Sequence, residues 1–185
     1  NNFNDLADWG ANSIRVGIGG GSICSTRIQT GHGVPTFQSI LDCAKSDRDA
    51  KLIADGGIRT NGDIVKALAA GADFVMLGSL LAGTDESPGE IFTNDKKKYK
   101  VYRGMASSNA QKDWRGKTSA PEGISTTIPY KGSVKQILSI MTGNIQSGFS
   151  YSGARSIQEL WFNSNFIKQT SAGQLESSTH ILRNK

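Results

Sequence analysis

The sequence predicts an α/β fold built on a parallel sheet. Short apolar strands recur at residues 13–17, 51–54 and 73–77. The stretches between them are long enough to hold helices, which is what parallel neighbours require. Each strand runs into a glycine-bearing turn, the arrangement by which α/β proteins build a site at the carboxyl edge of a sheet.

Residues 13–17 read Ser-Ile-Arg-Val-Gly, a strand halted by glycine. Residues 36–44 carry helical spacing through Ile40, Leu41 and Ala44, with Cys43 in the same apolar pattern as inert packing. Residues 51–54 make the second strand and enter Asp55-Gly56-Gly57. Residues 63–70 form an amphipathic helix on Ile64, Val65 and Leu68, with Asn61 capping its start and Gly71 its end. Residues 73–77 make the third strand and enter Gly78-Ser79. Residues 90–103 read as a hairpin with the Lys96-Lys97-Lys98 run at its tip. Residues 107–129 mix Gly, Ser, Thr, Lys and Pro without periodicity and predict a long loop, with a flap-like segment at 106–128. Residues 133–147 predict a helix through Val134, Ile137, Leu138, Met141 and Ile145. Ser156 with Glu159 is a capping box that opens a last helix, and residues 170–185 read as a polar tail.

The length of 185 residues is that of one domain. The chain opens on Asn1, and its first residues read as the interior of a longer chain. Three strands cannot close a barrel, which needs eight. If these are the last three, five more precede Asn1. A separate 185-residue chain would then expose apolar surface and strand edges and is expected to be inactive. The longest apolar stretch, residues 74–82, falls far short of the ~20 residues of a membrane span. No basic-then-apolar leader is present. The expectation is a soluble, cytoplasmic protein with no membrane partner. Cys24 and Cys43 are not expected to pair, since nothing points to secretion. His32 and His180 have no Cys or Asp at ligand spacing, which argues against zinc. The net charge of +5 reads as a solvated surface or as attraction to an anionic ligand such as a nucleotide phosphate. Aromatic residues are not interleaved with the basic ones, which argues against a nucleic-acid surface.

Three motifs carry chemistry. Residues 17–27 read Gly-Ile-Gly-Gly-Gly-Ser-Ile-Cys-Ser-Thr-Arg. Such a loop can cradle an anion with amides or a cation with carbonyls. It presents Cys24 as a nucleophile, with Arg27 near enough in sequence to favour a thiolate. From spacing alone, a glycine turn with an incidental cysteine reads equally well. At Ala54-Asp55-Gly56-Gly57-Ile58, a carboxylate at a strand end can accept both hydroxyls of a ribose beside amides suited to phosphate. Taken alone, an ordinary strand-to-helix turn with Asp55 as a local cap reads better there. Gly78-Ser79-Leu80-Leu81-Ala82-Gly83 offers amides and a hydroxyl at the next strand end. None of these is the Gly-x-Gly-x-x-Gly dinucleotide fingerprint. Together they read as a phosphate pocket with a cysteine beside it, and the ligand stays unnamed.

At these residues the sequence resembles the family of inosine monophosphate dehydrogenase and guanosine monophosphate reductase. Residues 19–27 are similar to the family's catalytic-cysteine loop, and residues 54–58 and 75–83 to its two phosphate-site strands. Tyr102-Arg103-Gly104-Met105 and Pro129-Tyr130-Lys131-Gly132 match as well, and the resemblance runs from about Trp9 to the end. It implies the carboxyl-terminal part, about strands 6–8, of a TIM (β/α)8 barrel with flap and tail. It implies a homotetramer acting on a purine nucleoside monophosphate with NADPH or NAD and a monovalent cation, K+. Phosphate would sit on Ser22, Gly57, Gly78, Ser79 and Tyr102, and the ribose on Asp55. The base would be read by Met105 and Glu122, with Gly104 also in the substrate set. Carbonyls of Gly19, Gly21 and Cys24 would hold the cation, with Glu176 reaching it from a neighbouring subunit. Cys24 would attack purine C2, with Thr26 and Glu122 activating the leaving amine.

Two features divide the family's reactions, and they disagree here. The dehydrogenase carries a long flap with an Arg-Tyr pair. Met105 and Glu122 are separated by a short segment without it, where Trp114-Arg115 is the nearest approach. Ser125-Thr126-Thr127 is also reductase-like. Residues 171–176 (Ser-Ala-Gly-Gln-Leu-Glu) instead resemble the dehydrogenase tail. The flap bears on chemistry and the tail on assembly, so the reductase is the expectation.

Overall fold

The computed structural model describes residues 2–179. The elements run α1 (Asn2–Asp8), β1 (Ser13–Val16), α2 (Thr26–Thr30), α3 (Thr36–Cys43), β2 (Lys51–Asp55), α4 (Asn61–Ala69) and β3 (Phe74–Met76). They continue with β4 (Ile91–Asn94), β5 (Lys97–Arg103), α5 (Ser108–Arg115), β6 (Ser125–Pro129), α6 (Val134–Tyr151), α7 (Ile157–Asn163) and α8 (Ser171–Glu176). This is a mixed α/β chain with two sheets. One is parallel, in order β1-β2-β3; the other is antiparallel, in order β4-β5-β6.

Alternation along the parallel strands sends Ile14, Val16, Leu52 and Ala54 to one face, where they are buried with Phe3, Ile40, Ala67 and Ala70. The other face carries Arg15, Ile53, Asp55, Phe74 and Met76, and Phe74 and Met76 are 57% and 41% exposed. Parallel sheets are normally covered on both faces. Here helices cover one, and β1 and β3 each pair on one side only. A second core joins Ile64 and Leu68 of α4 to Met141 of α6, Ala154 and Leu160 of α7. Complete burial of a side chain such as Leu160 stabilises by about 1.5–3 kcal/mol.

Several sequence expectations are corrected in detail. Thr60, not Asn61, caps α4: its hydroxyl accepts from the Asp63 N–H (3.2 Å), and the Asp63 carboxylate accepts from the Thr60 N–H (2.9 Å). A carboxylate three residues after a threonine completes a reciprocal box that an asparagine cap at position 61 would not. Ala70 is the C-cap, and Gly71 with φ +112° follows it. The lysine run is not all tip. The Asn94–Lys97 pairing leaves Asp95 and Lys96 as the turn, both with positive φ, as a tight two-residue hairpin needs. Lys97 and Lys98 therefore lie in β5.

The flap-like segment 106–128 is not an irregular loop. It contains α5, whose start is capped by Ser107 accepting from the Ala110 N–H, and most of β6, which pairs with β5. The segment expected as a polar tail forms α8 from Ser171, capped by Thr170; its part beyond residue 179 lies outside the described residues.

Candidate active site at the carboxyl edge of the sheet

All three parallel strands deliver their following turns to one edge. Gly56 has φ +91°, and a Cβ there would lie 2.8 Å from the Gly20 carbonyl carbon. The lack of a side chain lets the two turns touch, and the Gly57 N–H donates to the Gly20 carbonyl (2.8 Å). Gly20, Ser22, Gly57 and Ser79 line one cleft of about 520 Å3, together with Thr36, Arg59 and Lys66. Ser22, Gly57 and Ser79 of the expected phosphate set are thus in one place.

Gly78, Tyr102 and Met105 line a neighbouring cleft of about 790 Å3 instead. Tyr102 joins the two. Its hydroxyl lies 3.5 Å from the Ser22 Oγ, and a Cβ on Gly78 would approach that same oxygen to 2.9 Å. Asp55 lines neither cleft. It sits half-buried on the uncovered sheet face, 3.4 Å from the Arg15 guanidinium. Arg15, its partner, was not singled out in the sequence, because an exposed arginine in a short strand carries no motif.

The cysteine loop adjoins these turns. The Cys24 N–H donates to the Gly21 carbonyl (3.1 Å), and the Cys24 thiol donates to the Thr26 hydroxyl (3.1 Å). Arg27 is not the partner of the thiol. Its guanidinium donates to the carbonyls of Ile18 (3.1 Å) and Val34 (2.7 Å), tying the two ends of the loop together. The reason is geometric: a forked guanidinium presents several N–H donors and reaches both carbonyls at once.

Glu122 is brought to the loop by backbone pairing. Its carbonyl accepts from the Ser25 N–H (2.8 Å), the Ile23 carbonyl accepts from the Ile124 N–H (3.0 Å), and Cys24 bridges Gly123. On its other side the Glu122 N–H donates to the Ala106 carbonyl (3.0 Å), and the Gly104 N–H donates to the Ile124 carbonyl (3.0 Å). Met105 is 76% exposed beside this bridge. Glu176 is exposed at the end of α8, and among the described residues no hydrogen bond or ion pair joins it to the loop of Gly19, Gly21 and Cys24. Burial, with the charge of Asp42, pushes the Cys43 thiol above its ordinary pKa, so it is the poorer nucleophile by environment.

The sequence missed a clasp on the turn after β3. Lys100 is buried and donates to the carbonyls of Thr84 (2.8 Å), Asp85 (3.3 Å) and Ser87 (2.7 Å). Lys131 donates to the carbonyls of Ser79 (2.7 Å) and Leu80 (3.1 Å), and burial holds its ammonium below the ordinary lysine pKa. Its place in Pro129-Tyr130-Lys131-Gly132 was the only signal.

Glycine-bearing turns and a cysteine loop thus meet at one strand edge, an arrangement whose backbone amides can serve an anion. Residues 1–180 match the profile of the IMP dehydrogenase / GMP reductase domain. The chain belongs to the IMP dehydrogenase / GMP reductase family. It is 46% identical to an inosine-5'-monophosphate dehydrogenase of Nitrosopumilus maritimus over 95% of this chain and 40% of that protein. It is 44% identical to a GMP reductase of Leishmania major over 95% of this chain and 38% of that protein. A crystal structure of a GMP reductase variant from Trypanosoma brucei in complex with guanosine 5'-monophosphate superposes with a TM-score of 0.91 at 43% identity, covering 96% of this chain and 38% of that one. The chain thus spans about 40% of the length of the curated relatives it matches.

Proposed function

We propose that this chain is the nucleotide-binding and nucleophile-bearing part of a GMP reductase, acting on guanosine monophosphate with NADPH to give inosine monophosphate and ammonia. The observation that carries the choice is the short segment between Met105 and Glu122. It folds as α5 and docks Glu122 against the cysteine loop through the Ser25–Glu122 hydrogen bond. The Thr26 hydroxyl stands at the Cys24 thiol and the Glu122 backbone lies beside the loop; a hydroxyl and a carboxylate are suited to moving protons to a leaving amine.

In this reading the phosphate rests on Ser22, Gly57, Gly78, Ser79 and Tyr102, the ribose on Asp55, and the base on Gly104, Met105 and Glu122. The Cys24 sulfur bonds purine C2 as the thiolate, and the C2 amine leaves as ammonia after protonation through Thr26 and Glu122. The result is a thioimidate on Cys24. A nicotinamide held in the cleft beside Tyr102 and Met105 would supply the one hydride that C2 needs. The C–S bond then breaks and the Cys24 thiolate is released. The cleft lined by Leu77, Val101, Tyr102 and Met105 has room and apolar surface for a flat ring. For a monovalent cation, the neutral carbonyls of Gly19, Gly21 and Cys24 are a suitable donor set, although the Gly21 oxygen already accepts the Cys24 N–H. Glu176 would complete that site across a homotetramer.

The three parallel strands read as the last of an eight-stranded β/α barrel. Their uncovered face and the unpaired edges of β1 and β3 support this.

Inosine monophosphate dehydrogenase is the second reading, favoured by the sequence of α8 and by relatives of that name at similar identity. The full-length protein carrying this chain decides between them. NADPH oxidation dependent on guanosine monophosphate is expected; NAD reduction dependent on inosine monophosphate would reverse the assignment.

A further inference from the structure

The turn after β3 meets the cleft at Ser79, and one side chain outside the cleft holds that turn. The Gly78 carbonyl accepts from the N–H groups of Leu81 (3.1 Å) and Ala82 (2.9 Å). A trans peptide directs its C=O and N–H oppositely, so the Ser79 N–H is turned away from the body of the turn. The Ser79 carbonyl takes the Lys131 ammonium at 2.7 Å, which turns the Leu80 N–H away from Lys131 in the same manner. Among the described residues neither the Ser79 nor the Leu80 N–H has a hydrogen-bond acceptor.

We propose that Lys131 is a positioning residue for the phosphate subsite: by holding the Ser79 and Leu80 carbonyls it fixes the turn that brings Ser79 to the cleft, and it polarises the Leu80 N–H. This rests on the phosphate reading of the cleft given above. An ammonium on a carbonyl oxygen draws electron density through the peptide and makes its N–H a stronger donor. Lys131 is itself held. Its N–H donates to the Gly83 carbonyl (2.8 Å), and the Gly132 carbonyl accepts from the Asp85 N–H (2.9 Å). Glu86 accepts from Ser133 and from the Val134 N–H where α6 begins. The turn and the start of α6 therefore form one unit, with Lys131 at its centre.

The test compares guanosine monophosphate with guanosine, by calorimetric titration of the full-length protein and its Lys131→Met and Lys131→Arg variants. Lys131→Met is expected to weaken the nucleotide about tenfold relative to the nucleoside, and Lys131→Arg to recover most of that. An unchanged nucleotide-to-nucleoside ratio overturns the positioning role. So does a parallel loss of both ligands, including a variant that no longer folds, because that is what a merely structural lysine gives. A wild-type protein indifferent to the phosphate overturns the subsite reading itself and the role of Lys131 with it.

Discussion

At the scale of single residues, the two cysteines separate by environment. Cys24 lies in a loop at the strand edge with its thiol on Thr26, whereas Cys43 closes α3 against the sheet core, its pKa raised by burial. The raised pKa of Cys43 leaves it less thiolate than an ordinary cysteine and so disfavours it. Peptide mapping after brief iodoacetamide treatment of the full-length protein is expected to find Cys24 labelled well ahead of Cys43, and guanosine monophosphate is expected to slow labelling at Cys24 alone. Equal labelling of the two, or no protection, would contradict the assignment of roles. Cys24 was legible through its glycine-rich neighbours. The thiol's partner was not, since Arg27 is close in sequence but directed to Ile18 and Val34.

At the scale of elements, legibility followed length and locality. Helices α3, α4 and α6 were readable because each repeats its apolar residues at a fixed period, β1, β2 and β3 as apolar runs that enter glycine turns, and α7 from the capping box of Ser156 with Glu159. The elements α1, α2 and α8 have 7, 5 and 6 residues, too few for a period to show. The helix α5 buries only Ala110 and Gln111, and β6 is mostly exposed and ends on Pro129, so neither announces itself. Their pairings with distant segments make them. The same holds for the clasp on the turn after β3, where Glu86 caps α6 from 48 residues away.

That cap has a pH signature. Hydrogen bonds from the Val134 N–H above all, from the backbone N–H of Glu86 and from the Ser133 hydroxyl lower the Glu86 pKa below its ordinary 4.5. A depressed folded-state pKa gives stability that is present above the unfolded value and lost as pH falls through the folded one. Urea unfolding should therefore show Glu86→Gln less stable than wild type at neutral pH. The difference should shrink as pH drops below the ordinary glutamate value and vanish once the native carboxylate is protonated. A difference independent of pH would show that the charge has no part in the cap.

At the scale of the whole molecule, the parallel sheet is covered on one face and bears Asp55, Phe74 and Met76 on the other. The sequence showed the strand ends, because each is a contiguous motif. It showed neither the one-sided covering nor the way Tyr102 joins the Ser22 and Gly78 turns, because these arise only when segments 80 and 24 residues apart meet. In the function proposed above, those meetings set Cys24 beside the edge that takes the nucleotide, and its sulfur bonds the purine there. The most direct measurement is to incubate the full-length protein with guanosine monophosphate, quench with acid and map the peptides by mass spectrometry, with Cys24→Ala alongside. A purine-nucleotide adduct on the Cys24 peptide, and nucleotide turnover abolished in the variant, are expected. Turnover by Cys24→Ala at the wild-type rate would contradict the assignment.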